Sequence, residues 1–439
     1  MLQPRQLAGR GNKFPRTTQQ LPHYLLLAGI LLFALAQLQA PAHAEEASPI
    51  ATSTVFWETF QLVASTNAVS DFAPRPTLRQ APNGQLMLSF NKALDVSQGI
   101  QKPYYSVYNR ANRSWSNAQP IYSGGTSQRY VTFAFDNASM AHAVWLERED
   151  VYYAARSGWP TTARKLSTVS ETLVDPPAIA IGANGVIHVV WAQGVNSQTV
   201  FYTFSADGGA NWSSPDPLTP AADDTYSPAV AATDDGSVHV VWGKATLDPP
   251  PSRYELYYAK GTAQGTGYNW TTALNISADR TTAVRPALMA SGNALHLAFA
   301  SYAFEDERFI HYAHYRRYSS GNWTPLVTIN SDRGVSVNTS YPTYLTTALT
   351  VCGGDVHLYY HGAPPGQTSE QIWAASSSDA WQSLSPVTAL GTRYIDPTLA
   401  CNNGNLAIAV DRVTLDNNVH DIYWGSQENR VLLPLISSR

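Results

Sequence analysis

Cysteine is nearly absent from this sequence: among 439 residues there are only Cys352 and Cys401. Two cysteines do not make a disulfide scaffold, and no C-x-x-C spacing of the kind that ligates zinc is present. Charge is sparse too, at 14% of residues, while aromatics reach 11%. Helical periodicity is missing, which excludes an architecture of amphipathic helices and leaves strands lined with Trp and Tyr. Only one long apolar run occurs, Tyr24 to Leu38, and it is too short to span a bilayer comfortably.

That run has the setting of an export signal. Arg5, Arg10, Lys13 and Arg16 precede it, and Ala42-His43-Ala44 follows as a small-residue cleavage site. Residues 1–44 are expected to be removed, leaving 45–439 as one domain outside the cytoplasm with no membrane span. The leader takes with it four of the 28 basic residues and none of the 32 acidic ones, so the remainder carries 24 minus 32, or minus 8. An acidic surface argues against nucleic acid as a partner. No cofactor and no metal is expected, and the chain is expected to be a monomer.

What the sequence has in quantity is a repeat. Pro177-Ala-Ile-Ala-Ile-Gly-Ala-Asn-Gly-Val-Ile-His-Val-Val-Trp191 aligns without a gap on Pro228-Ala-Val-Ala-Ala-Thr-Asp-Asp-Gly-Ser-Val-His-Val-Val-Trp242. Related starts fall at Pro76, Pro286, Pro342 and Pro397, and a copy without proline begins at Tyr130. From Pro177 the steps are 51, 58, 56 and 55 residues, and the 101 residues from Pro76 to Pro177 hold two units, giving seven. Each unit carries a Tyr-rich third strand, and most then have a Trp opening a fourth: Trp115, Trp159, Trp212, Trp270, Trp323 and Trp381. Four short strands per unit, separated by Gly, Asn and Asp turns, predict an all-β propeller of seven four-stranded antiparallel blades, with six as the alternative. The blades are expected near 74–123, 128–172, 174–223, 225–279, 282–332, 339–389 and 393–436.

A ring with open ends exposes strand edges. The segment around Trp57, residues 54–66, reads as a fourth strand without the first three, and is expected to close the ring by pairing with the last blade. The final run Leu432 to Ile436 is expected to be a strand. Cys352 and Cys401 each end the first strand of consecutive repeats, which places them to form a disulfide across neighbouring blades. His188, His239, His296 and His357 recur at one position of the repeat. Ring symmetry spreads them apart, so structural hydrogen bonding is expected and metal ligation is not.

Ser205-Ala-Asp207-Gly-Gly209-Ala-Asn-Trp212 fits S-x-D-x-G-x-x-W and resembles the Asp box, or BNR repeat, of the sialidase superfamily. In that family the turn is structural and lies away from the active face, while three arginines hold the substrate carboxylate and a Tyr paired with a Glu is the nucleophile. The resemblance implies an arginine set from Arg75, Arg285 and Arg393, with Tyr341 and Glu305 as the catalytic pair and Asp396 nearby. Here Arg75 and Arg285 directly precede proline, one residue off the family's Arg-Ile-Pro spacing. With the set incomplete, the leading expectation is an exported propeller binding an extracellular glycan on its strand-start face. Exo-sialidase activity and a structural or protein-interaction role are the alternatives.

Overall fold

The computed structural model describes residues 60–427 apart from 70–73, 169–172, 222, 247–251, 279, 281, 306–307, 330–334, 338–345, 363–370, 389–391 and 415–418. The leader, Trp57, Tyr341 and the Leu432 to Ile436 run lie outside these residues.

Each repeat becomes one antiparallel sheet, and there are seven. The first strands are Thr77–Gln80, Gln128–Phe135, Ala178–Ile181, Asp224–Ala232, Val284–Ser291, Thr347–Cys352 and Arg393–Asn402. They surround a central channel of about 680 Å³ whose walls are largely alanine, valine, leucine and threonine. Second strands are the most deeply buried. Trp145, Trp191 and Trp242 sit within them at 0%, 1% and 2% exposure, as core between blades and not as surface rings. Truncating a tryptophan so buried costs on the order of 3–5 kcal/mol.

Ring closure uses the start of the chain. Gln61–Val69 pairs antiparallel with Val419–Ser426 and serves as the fourth strand of blade 7. Ser65 Oγ fixes the pairing by donating to Asp421 at 2.7 Å. Blade 1 then packs on blade 7, with Leu78, Leu88 and Phe90 against Ala407, Ala409, Ile422 and Trp424.

Neighbouring blades are also joined by an aromatic belt. A Tyr on the third strand of one blade meets the Trp of the next at 4.8 Å (Tyr153–Trp212), 4.9 Å (Tyr202–Trp270), 5.2 Å (Tyr258–Trp323) and 4.7 Å (Tyr315–Trp381). Tyr105–Trp159 at 4.9 Å and Trp424–Trp115 at 5.5 Å extend it to the first two junctions of the ring. Between blades 6 and 7 the described residues show a covalent tie instead, Cys352–Cys401, with Cα atoms 5.1 Å apart. Trp115, Trp270 and Trp323 lie in fourth strands, but Trp159, Trp212 and Trp381 precede theirs. A tight turn holds each of these three indoles under the neighbouring tyrosine before the strand resumes.

Three of the repeated histidines, joined by His142 of blade 2, complete the same unit, while His357 has a backbone hydrogen bond at Cys352. Nδ1 of His142, His188, His239 and His296 lies 2.7, 2.9, 2.9 and 2.8 Å from the hydroxyl of Tyr153, Tyr202, Tyr258 and Tyr315, respectively. Burial pushes His188 down to about 3 and His239 and His296 to about 4. In the Ser205–Trp212 turn, Asp207 accepts from the Asn211 amide at 2.8 Å and from the Asn211 side chain at 2.7 Å, and Ser205 Oγ accepts from the Gly209 amide at 2.9 Å. Antiparallel order puts this turn, between third and fourth strands, on the face opposite the first-strand starts.

In blade 6 the described first strand is Thr347–Cys352, ended by the turn at Gly353-Gly354, and Pro342 lies outside the described residues. Among the described residues no helix is long and apolar enough to cross a membrane.

Candidate binding site at the channel mouth

The mouth is built by one backbone device used repeatedly. Arg75, Tyr130, Ser227, Arg285 and Asp396 all have positive φ, at 44°, 60°, 46°, 53° and 48°. For residues other than glycine this conformation costs roughly 1–3 kcal/mol and persists only where the surroundings impose it. In blades 2, 4, 5 and 7 it coincides with a register shift between first and second strands, between Arg129 and Thr132, Tyr226 and Ala229, Val284 and Ala287, and Ile395 and Thr398. Such a bulge redirects a side chain out of strand alternation. In four of the five cases the next residue is proline (Pro76, Pro228, Pro286, Pro397), which disfavours the ordinary helical region for the residue before it. Pro176 and Thr346 occupy the corresponding places in blades 3 and 6.

A hollow of about 180 Å³ at this level is lined by Arg75, Pro176, Ser227, Arg285 and Thr346 and shares its walls with the channel. The Arg75 guanidinium lies 4.3 Å from the Tyr130 ring centroid, and that of Arg129 lies 5.4 Å from it. Arg285 is half-buried by surface area but enclosed by the mouth. Burial and then the charge of Arg75 push its pKa down to about 10, opposed by Asp396, Asp175 and Tyr130. It therefore stays cationic at neutral pH, with a second arginine facing it and two carboxylates in electrostatic reach. Both carboxylates are engaged. Asp175 accepts from the Ser227 amide at 2.5 Å, and Asp396 accepts from Thr346 Oγ1 at 3.1 Å. Thr346 Oγ1 also lies 3.3 Å from His361 Nδ1, and His361 in turn helps push buried His311 down to about 2.

Beside Arg285, an aromatic shelf spans blades 4 and 5. Tyr226, Tyr254 and Tyr302 pack on Val284 and Ala300, and Tyr226 Oη donates to the Ala283 carbonyl at 3.0 Å. Burial raises the pKa of Tyr226 and Tyr302, which keeps both phenols neutral.

Of the residues singled out from sequence, Arg75, Arg285 and Asp396 meet at the mouth. Arg393 lines neither hollow; it acts instead on buried Asp411, whose carboxyl burial pushes up to about 6 although His420 Nδ1 lies 2.6 Å away. Glu305 ends the long blade 5 hairpin, in register with Arg308, and its side chain lies outside the described residues, as does all of Tyr341. Glu147 is a loop fastener, accepting from the Thr126 amide at 2.8 Å and Gln128 Nε2 at 3.1 Å. Sequence reasoning missed Tyr130 and Thr346 as site residues, and His311 and His361 behind them. Tyr130 was within reach, since it stands where Arg75 and Arg285 stand in their repeats. Among the described residues no group of three or more His, Cys, Asp or Glu side chains is placed to hold a metal.

No protein-family model matches this sequence, and no curated protein does. Solved structures do share its fold. An ulvan lyase of polysaccharide lyase family PL25 superposes with a TM-score of 0.56 at 11% identity, covering 85% of this chain and 96% of that one. The same kind of enzyme bound to a GlcA(1-4)Rha3S saccharide gives 0.56 at 12% identity, over 85% and 96% of the two chains. Polysaccharide lyase Uly1 gives 0.51 at 11% identity over 87% and 95%. At these identities the likeness concerns the seven-bladed fold alone.

Proposed function

We propose that this chain is an exported propeller that binds an acidic glycan at the channel mouth. The observation that carries the reading is the convergence of Arg75 and Arg285, from blades 1 and 5, on one hollow through strained backbone. A planar guanidinium fork matches a carboxylate or sulfate with two parallel hydrogen bonds. The Tyr226–Tyr254–Tyr302 shelf beside it offers apolar faces on which sugar rings stack. The fold comparison supports the ligand class, since one structural neighbour was solved with a saccharide containing a uronate and a sulfated sugar. The basic, apolar leader at residues 1–44 supports export, and the Asp-box pattern at Ser205–Trp212 supports kinship with sialidase-type scaffolds.

Calorimetric titration with a uronate-rich polysaccharide and with a neutral one of similar length tests this. Saturable binding of the acidic polymer, weakened about 10- to 100-fold by Arg285→Gln, is expected from loss of a charge-assisted pair. Equal affinity for both polymers, or an Arg285→Gln variant that binds as the wild type does, removes the reading.

One feature favours a second reading, eliminative cleavage. The Tyr130 ring lies 4.3 Å from the Arg75 guanidinium and 5.4 Å from that of Arg129, and its phenol acts electrostatically on Arg285 at the mouth. Arginines that neutralise a uronate carboxylate make the adjacent C–H more acidic, and a neighbouring phenol can carry the proton. Appearance of an unsaturated uronate product in the ultraviolet distinguishes this from binding alone. An exo-sialidase, the reading that would use Arg393, Tyr341 and Glu305, instead releases a fluorogenic group from a sialoside.

A further inference from the structure

Tyr130 is the exception among the mouth residues of positive φ. Arg75, Ser227, Arg285 and Asp396 are each followed by proline, whereas Tyr130 is followed by Val131. Its backbone therefore lacks the ring that biases the other four, yet it holds φ 60° while carrying an aromatic side chain. Val131 also brings an N–H that proline does not have, and at 2% exposure this group needs a partner.

Asn91 of the preceding blade supplies it. Val131 N donates to Asn91 Oδ1 at 3.1 Å, and Asn91 Nδ2 donates to the Gln128 carbonyl at 2.9 Å. One amide thus grips the chain on both sides of Arg129-Tyr130. The main chain of the same residue reaches the other member of the pair, since Asn91 N donates at 2.8 Å to the carbonyl of Pro74, the residue before Arg75. Asn91 is 1% exposed, and a buried amide is costly unless both its ends are bonded. At the same place of the repeat, opposite the residue that precedes the mouth residue, blades 2, 4 and 5 have Leu146, Gly243 and Ala300. The blade design therefore does not require a polar side chain here, and blade 1, which adjoins Tyr130, has one.

We propose that Asn91 is the positioning residue of the Arg75–Tyr130 pair. It does for Tyr130 what proline does at the other four bends, and it fixes the 4.3 Å approach of the Arg75 guanidinium to the Tyr130 ring. Its effect on ligand rests on the reading of the mouth as an acidic-glycan site, while its effect on the pair does not.

Asn91→Leu tests this, because Leu146 shows that the repeat accommodates leucine at this place. Two measurements are made on the variant once circular dichroism shows it folded. The Arg75 side-chain Nε–Hε resonance, identified by its loss in Arg75→Lys, reports the ring current of Tyr130 and should move toward its position in Tyr130→Leu. Calorimetry with the uronate-rich polysaccharide should show affinity weakened about three- to tenfold, the scale of a cation–π contact, with no further loss when Tyr130→Leu is added. Adding Val131→Pro to Asn91→Leu rebuilds the bend of the proline-bearing blades and should restore both resonance and affinity, which a general loss of stability would not allow. Asn91→Asp keeps the acceptor for Val131 N–H and loses the donor to Gln128, so it gives an intermediate point if Asn91→Leu does not fold. An unmoved Arg75 resonance in Asn91→Leu overturns the proposal, as does a loss that Val131→Pro fails to reverse or that adds in full to that of Tyr130→Leu. A wild type that binds no acidic polymer removes the glycan reading instead, and the resonance then decides on Asn91 alone.

Discussion

Arg75 and Tyr130 hold the same structural position in consecutive blades, and the guanidinium of the first lies 4.3 Å from the ring centroid of the second. Neither φ angle is one that these residues adopt freely, so the contact is imposed by the backbone around them, which in blade 2 is a bulge. If the pair serves an acidic glycan, its members have separable effects. Arg75→Ala should weaken binding of the uronate polymer by about tenfold or more, the scale of a charge-assisted hydrogen bond. Tyr130→Phe keeps the ring under the guanidinium and should leave affinity unchanged while abolishing any eliminative turnover. Affinity and product absorbance measured on both variants check this.

Acid should destabilise the fold through its buried histidines. His188, His239 and His296 are held at about 3, 4 and 4, whereas an unfolded imidazole titrates near 6.5. Between those values the unfolded chain binds protons that the folded chain refuses. Stability is therefore complete above about pH 6.5 and declines as pH falls, each histidine adding a slope of about 1.4 kcal/mol per pH unit. Urea denaturation from pH 7.5 to 4.5 should show this, and His239→Gln should have a shallower slope than the wild type. An identical slope would contradict the assignment.

The disulfide closes the blade junction where the described residues show no tyrosine–tryptophan contact. Cys352 and Cys401 are 49 residues apart, and removing such a cross-link costs up to about 4 kcal/mol in chain-entropy terms. Cys352→Ser with Cys401→Ser should lower the denaturation midpoint, and a reductant should do the same to the wild type without affecting the double variant.

Gly209 is the tightest point of the Ser205–Trp212 turn. It has φ +93°, and a Cβ there meets the Tyr153 hydroxyl, which also bonds His142 Nδ1 at 2.7 Å. Gly209→Ala should cost roughly 1–3 kcal/mol from backbone strain alone. Because the turn lies on the face away from the mouth, glycan affinity in the surviving folded protein should stay unchanged. Thermal melting and calorimetry together separate the two effects.

The blades were legible in the sequence because each must repeat the same burial pattern. Pro177 to Trp191 and Pro228 to Trp242 align without a gap, since Trp191 and Trp242 fill equivalent junctions. The mouth was legible in part. Arginine before proline marked Arg75 and Arg285, while Arg393 was grouped with them as another arginine at a first-strand start, although Asp396 occupies the bulge in its blade. Bulges break the two-residue alternation from which side-chain direction is read, so the nearness of Arg285 to Arg75 and Tyr130 follows from backbone geometry that this alternation does not encode.

Gln61 pairs with Trp424. The first described strand is thus the last to find its place, because its partner is translated more than 350 residues later. At about 5–20 residues per second that is a delay of roughly 20–70 s. Throughout this interval six blades can stack on one another while the seventh lacks its outer edge. Ring closure therefore waits until Val419–Ser426 has been made, and a chain that stops short of it leaves Gln61–Val69 without its partner strand.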